Sequence, residues 1–339
     1  MSLNSSAPST PGVVAYAPAS IGNFAAGFDL LGAALAPLDG SLFGDLVQVS
    51  FADTPSFRLE GPHAGALVGD SRPNLVLRAQ DLFIAALTAK GVPCGPFSLR
   101  LDKRLPVSSG LGSSAASIVA TLVGLQALCG DPLSEGELLE LAGRAECMVS
   151  GGLHLDNVAP SMRGGLQLMV PGKEGGTATR RLPWPGDLLV AVVHPDWSLP
   201  TSKSRGVLPP TLGWAETLTF AGNLAGFVQA VQSGDRALLG RCLRDPLVEP
   251  HRAHLVPGFI EAKAQAMAAG ALGCSLSGSG PSVFAVADSE PRAAAIGQAI
   301  QSAFLAAGLA SRATICTLDP EGARILPPGA GQFSSEAQS

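Results

Sequence analysis

A run of 24 residues without a charged side chain, Leu105 to Leu128, constrains the fold of this chain more than any other feature. The segment before it, Phe97-Ser98-Leu99-Arg100-Leu101-Asp102, alternates apolar and polar positions and predicts a strand. The second half of the run, Ala115 to Leu128, is rich in Ala and Leu and predicts a buried helix. Between them lies Leu105-Pro106-Val107-Ser108-Ser109-Gly110-Leu111-Gly112-Ser113-Ser114-Ala115-Ala116, with two glycines and four serines. Glycine lets a backbone approach a ligand closely, and serine hydroxyls bind phosphate oxygens or a metal ion. The unpaired amides of the first helical turn point to the same place, with the helix dipole behind them. Strand, loop and helix together predict an anion-binding loop whose natural guest is phosphate.

Three rival readings fail on the residues of the run itself. Gly110-Leu111-Gly112-Ser113-Ser114-Ala115 has the letters of a dinucleotide-binding turn, which needs a second strand ending in an acidic residue about twenty residues on. Here Cys129-Gly130-Asp131-Pro132 makes a turn, followed at once by another helix start. A Walker loop needs a lysine after its second glycine, and none follows. Five serines, a threonine, a glutamine and three glycines argue against a membrane span. An ordinary Gly/Ser turn before a core helix stays open as the plain alternative.

The 339 residues suffice for one large or two modest domains. With 22 Lys plus Arg against 27 Asp plus Glu, net −5, a non-specific nucleic-acid surface is not expected. The six cysteines show no metal-ligand spacing and read as free thiols of a reducing compartment, hence a cytoplasmic protein without a membrane partner. Residues 1–12 have neither basic residues nor an apolar stretch, unlike a signal peptide; they and residues 327–339 are expected to be flexible tails. Strands are predicted at Asp45–Phe51 and Leu188–Val193, and a helix at Leu75–Lys90. Pro171 to Pro185 is dense in Gly and Pro and reads as the seam between two α+β halves, 13–170 and 171–326. Hydrolase chemistry finds no support, since no Gly-x-Ser-x-Gly elbow and no Ser-x-x-Lys pair occurs.

Ser134-Glu135-Gly136-Glu137 is a capping box, so a helix starts near residue 135 and runs to about Val149. At roughly 100° per residue, Leu138, Leu141, Ala142, Ala145 and Val149 form its apolar stripe, with Glu137, Glu140 and Arg144 opposite. Glu146 lies at the shoulder of that stripe, where a carboxylate either reaches water or needs a compensating cation. Further on, His154-Leu155-Asp156-Asn157 puts His154 and Asp156 on one side of an extended chain, without a third metal ligand. Asp156 or Asn157 equally suits the cap of a short helix before Pro160.

Three segments in order carry a family resemblance: Asn23-x-x-x-Gly27-Phe28-Asp29-x-x-Gly32, the loop at 105–116, and Leu276-Ser277-Gly278-Ser279-Gly280-Pro281-Ser282. They resemble the three motifs of the GHMP kinases, and with Pro73-Asn74-Leu75-Val76 and His154 to Pro160 they are most similar to the homoserine kinase branch. The match departs at Phe24-Ala25-Ala26, where the family usually has Leu-Gly-Pro. The resemblance implies a two-domain α+β fold, with an N-terminal nucleotide-binding half, a ferredoxin-like C-terminal half and the site between them, in a homodimer.

It also implies the chemistry, which is ATP- and Mg²⁺-dependent phosphorylation of L-homoserine by direct in-line attack on the γ-phosphate, without an obvious base. Glu146 and the hydroxyl of Ser114 would hold Mg²⁺. The nucleotide would lie on Pro106 and Ser108 to Ala115, with Lys103 at its phosphates and Asn74 at the adenine, although Lys103 and Arg104 equally suit a solvated strand end. Asp29, with Asn23 beside it, would take the substrate ammonium. Arg205 and Arg252 would take its carboxylate, since guanidinium binds carboxylate through paired charge-assisted bonds. His154 and Asn157, and after them Asp156, would line the pocket, and Gly278 would close it with backbone donors. A GHMP kinase for mevalonate or a sugar, or a catalytically silent ligand sensor, are the alternatives.

Overall fold

The computed structural model describes residues 12–69, 74–150, 152, 154–172, 177–330 and 333. Residues 1–11 and most of the expected tail at 331–339 lie outside them, as does Pro73. In chain order the elements begin β1 (Val13–Pro18), β2 (Ser20–Gly22), β3 (Leu31–Pro37), β4 (Gly44–Phe51), β5 (Ser56–Glu60), α1 (Leu75–Ala89), β6 (Phe97–Asp102), α2 (Ser113–Leu128) and α3 (Glu135–Ser150). They continue with α4 (Val158–Arg163), β7 (Leu166–Pro171), β8 (Thr177–Leu182), β9 (Leu189–Pro195), α5 (Thr201–Gly206), α6 (Trp214–Ser233), α7 (Arg236–Cys242) and α8 (Glu249–Arg252). The last are α9 (Phe259–Ala268), β10 (Gly273–Leu276), β11 (Val283–Ala287), α10 (Glu290–Ala306), β12 (Ser311–Leu318) and β13 (Arg324–Ile325).

Two sheets organise the molecule. The first, β13-β1-β4-β6-β5, is antiparallel except where β5 runs parallel to β6. α2 lies across β1 and β4 and is flanked by α1 and α3, so it is covered nearly all round. This is why its sequence is uncharged rather than amphipathic. The second sheet runs β10-β11-β9-β12-β3-β7-β8, with β2 added beside β3. Its part from β9 to β12 follows the order β9-α9-β10-β11-α10-β12, with α5 to α8 inserted between β9 and α9 and with α9 and α10 on one face, which is the expected ferredoxin-like arrangement. The period of two is visible in burial: Leu189, Ala191 and Val193 face α9 and α10, while Val190 and Val192 join the main core on the other side.

Within the stretch 171–185, residues 177–182 form a strand rather than a linker. β7 pairs antiparallel with β8 from Leu166↔Leu182 to Pro171↔Thr177, so much of the expected seam is one arm of a hairpin within the second sheet. Part of the Gly/Pro density, residues 173–176, lies outside the described residues, and part follows β8. Nor do the sheets part at residue 171: β3 pairs with β12, and β13 returns to pair with β1. Of the C-terminal tail, Phe333 lies 5.0 Å under the Arg100 guanidinium. The helix after Asn157 also differs from expectation: Asn157 is its N-cap residue but makes no side-chain cap bond, and the helix runs through Pro160 rather than stopping before it.

Candidate active site

The loop between β6 and α2 is tied down by its carbonyls. Ser108 O accepts from Leu199 N at 3.3 Å, Ser109 O from Ser282 N at 3.1 Å, Gly110 O from Ser277 Oγ at 2.6 Å and Leu111 O from Ser20 N at 3.1 Å. With its acceptors taken up by surrounding segments, the loop is left to offer donors, together with the first-turn amides of α2. Gly112, at φ 64°, is where the chain turns into the helix, and a Cβ there would lie 2.1 Å from Ser20 Oγ.

Beneath this turn sits a buried ion pair. Lys103 Nζ pairs with Asp45 and donates to Ser113 O at 2.7 Å and Ser117 Oγ at 2.9 Å. Asp45 Oδ1 in turn accepts the backbone N–H groups of Arg104 and Leu105, both at 3.0 Å. Lys103 is therefore not a solvated strand end: it borders the cavity, but its three protons are taken, and it braces the first turns of the helix. Asp45 was not legible as its partner, because the two meet only through the β4–β6 pairing.

The loop forms one wall of a cavity of about 510 Å³. Leu59, Leu67, Leu75, Val76, Leu101 and Val107 make one end apolar. Ser108, Ser109, Gly110, Gly112, Ser113 and Ser114 line the middle, and Asn23, His154, Asp156, Asn157, Arg205, Arg252 and Gly278 the polar end. Three expected nucleotide residues are elsewhere. Ala115 is buried in the core, and Pro106 and Leu111 face a second cavity, of about 810 Å³, behind the loop. Their side chains alternate away from the ligand side, as neighbouring residues of an extended loop must. Asn74 borders the apolar end, but its Oδ1 caps α1, accepting from Val76 N at 2.9 Å and Leu77 N at 3.3 Å, so only its amide nitrogen side remains for a base.

Ser114 Oγ donates to Glu146 Oε1 at 2.6 Å, joining the first turn of α2 to the last turns of α3. Burial pushes the Glu146 carboxyl up to about 7, against the opposing effect of the Ser114 bond. Two hard oxygen donors beside the Gly/Ser loop fit Mg²⁺, which takes few protein ligands and completes its shell with phosphate and water. No group of three or more His, Cys, Asp or Glu that could hold a metal occurs among the described residues.

At the polar end, Asp29 is not open to an ammonium group. Its Oδ1 accepts from Arg205 Nη2 at 2.6 Å, and its Oδ2 from Arg205 Nη1 at 3.3 Å, with His154 Nδ1 3.2 Å away. Burial raises its pKa, but the bonds from His154 and Arg205 outweigh this and hold the carboxyl below its ordinary value. Two residues assigned to opposite ends of a substrate thus bind each other. Arg252, buried, donates to Ser204 O at 3.0 Å and Gly278 O at 3.1 Å, and both arginines lie over the Phe28 ring. Burial, then the nearby Arg205, lowers Arg252 to about 10.

Asn23 Nδ2 also donates to Gly278 O, while its Oδ1 accepts Asp29 N. In the third motif the amides of Ser277, Gly278, Gly280 and Ser282 are bonded to Ser282, Gly22, Ser277 and Ser109 carbonyls, and Gly278 O accepts from Asn23 and Arg252. Asn157 Oδ1 accepts from Ser20 Oγ at 3.0 Å, beside Gly112. The variant segment Phe24-Ala25-Ala26 is a core anchor. Phe24 stacks on Phe284 at 5.0 Å and meets Trp184 and Phe227 edge-on.

Residues 74–165 match the GHMP kinases N terminal domain model and residues 227–306 the GHMP kinases C terminal model. The homoserine kinase of Cytophaga hutchinsonii is 33% identical, with a TM-score of 0.84 over 96% of this chain and 100% of that one. The fold is shared with L. major mevalonate kinase in complex with R-mevalonate (18% identity, TM-score 0.67, 94% and 99% covered). Lactococcus lactis galactokinase complexed with galactose is similar in fold as well (13%, 0.67, 94% and 96%). Among the described residues no helix is long and apolar enough to cross a membrane.

Proposed function

The chain belongs to the GHMP kinases, and from that premise we propose that it transfers the γ-phosphoryl group of ATP to the side-chain hydroxyl of L-homoserine. The observation that carries the choice of acceptor is the pairing of Arg205 and Arg252 over Phe28 at the polar end of a cavity whose middle is a phosphate loop. A sugar has no carboxylate to meet two guanidinium groups, and mevalonate has no amine to use the carboxylates beside them. The similarity to the Cytophaga hutchinsonii enzyme supports the same reading.

Phosphoryl transfer asks the protein mainly for in-line positioning and positive charge on the phosphates. Loop amides and the α2 N-terminus would hold the phosphates, the apolar end would take the base, and Arg205 and Arg252 would fix the acceptor carboxylate. Ser114 and Glu146 would hold Mg²⁺, which when bound neutralises charge on the transferring phosphoryl oxygens. The test is ADP release from ATP with L-homoserine, mevalonate, galactose or no acceptor. Release with homoserine alone, lost in Glu146→Ala, is the expected outcome. Release with mevalonate or galactose would overturn the acceptor, and silence with all three despite ATP binding would favour a sensor.

A further inference from the structure

Arg252 sits at the end of α8, a helix of four residues, too short to hold its place through its own hydrogen bonds. Two carboxylates do that instead. Asp245, between α7 and α8, gathers three backbone N–H groups of the chain that enters α8. Its Oδ1 accepts from Leu247 at 2.9 Å and Val248 at 2.8 Å, and its Oδ2 from Glu249 at 3.0 Å. Glu249, the first residue of α8, pairs with Lys263 of α9 and accepts from Ser275 Oγ of β10 at 2.6 Å. The start of α8 is thereby fixed to the ferredoxin-like part of the chain, and Arg252 at its end lines the cavity while only 2% exposed.

The two arginines of the polar end are held in different ways. Asp29 meets Arg205 with both oxygens and so covers it. Arg252 bonds only to carbonyls, through Nε and Nη1, and makes no ion pair among the described residues, which leaves its Nη2 without an acceptor there. A buried cation in that state is costly unless a negative charge stands near. Burial first, then Arg205, lower the Arg252 pKa; among the carboxylates that oppose them Asp245 acts most strongly, ahead of Asp29 and Asp156. The Asp245 oxygens are engaged by the three N–H groups rather than by the guanidinium, so the charge is compensated while the guanidinium stays uncovered. We infer that Asp245 is the positioning residue for the acceptor's carboxylate: it fixes α8 and supplies a counter-charge at a distance, so that Arg252 remains charged and open. The inference rests on the amino-acid reading proposed above.

The experiment is steady-state kinetics with L-homoserine and with 3-aminopropan-1-ol, which is homoserine without its carboxylate, read either as an acceptor or as a competitor of homoserine. Asp245→Asn keeps the Oδ1 bonds to Leu247 and Val248 and removes the charge. It is expected to raise the KM for homoserine about 10-fold, while kcat, the KM for ATP and the constant for 3-aminopropan-1-ol stay within about twofold. Arg252→Ala raises the homoserine KM by itself, and adding Asp245→Asn to it is expected to change that KM by less than about twofold, because Asp245 acts through the guanidinium. A wild-type homoserine KM in Asp245→Asn overturns the inference. So does an equal loss with 3-aminopropan-1-ol or ATP, which is what a general loosening of the fold would give, and so does a further loss in the Arg252→Ala background. Failure of the amino-acid reading looks different: the wild type itself phosphorylates no homoserine.

Discussion

Lys103 and Asp156 are both buried ionisable groups on the cavity wall, and their opposite circumstances give opposite predictions. Lys103 is fully partnered, so Lys103→Met strands Asp45 as an uncompensated buried charge. Unfolding in denaturant should show a loss of about 3–5 kcal/mol, partly recovered by adding Asp45→Asn. Asp156 is the reverse case. Its pKa rises on folding from 3.8 to about 6, so the folded state holds the proton more tightly. Its ionisation therefore counts against folding above about pH 6, and that penalty fades as pH falls toward the unfolded value. The shift corresponds to about 3 kcal/mol. Asp156→Asn should thus melt at a higher temperature than the wild type at pH 7.5 and at nearly the same temperature at pH 4; equal melting at both would show that the carboxylate has another partner.

At the scale of elements, the loop and α2 act as one unit with α3 through the Ser114–Glu146 bond. Glu146→Ala should lower kcat by about 10²- to 10³-fold, the several kcal/mol that a metal ligand supplies, with little change in thermal stability. Gly112→Ala would set a Cβ against Ser20 Oγ at a left-handed φ, and should raise the KM for ATP while the far-UV circular dichroism is unchanged. Most of these elements were legible locally. The period of two in 97–102 and 45–51, the capping box at 134–137 and the uncharged run all gave boundaries within about two residues, because each reports local geometry or burial. The β7–β8 hairpin was not legible. Thr177-Ala178-Thr179-Arg180-Arg181-Leu182 has weak alternation, and its strand character comes from pairing with β7.

At the scale of the molecule, the N-terminal and C-terminal parts of the chain share their sheets, since β3 pairs with β12 and β1 with β13. A chain ending at residue 170 loses both partners and exposes the β3 and β1 edges. Its expected state by circular dichroism and NMR is unfolded or aggregated, and an independently folded fragment would overturn this view of the architecture. The same interleaving separates what the sequence determined from what tertiary structure decided. Composition, periodicity and turn chemistry are properties of neighbouring residues, and they sufficed for the strand before the Gly/Ser loop, the helix after it and the shoulder position of Glu146, while the family came from the resemblance of three short motifs. Which charge meets which is a property of segments far apart in the chain. Asp45 with Lys103, Asp29 with Arg205, and Asp156 without an ion pair among the described residues became visible only once strands and helices had brought residues 156, 205 and 252 to one cavity, because burial and pairing, rather than residue type, set the state of an ionisable group.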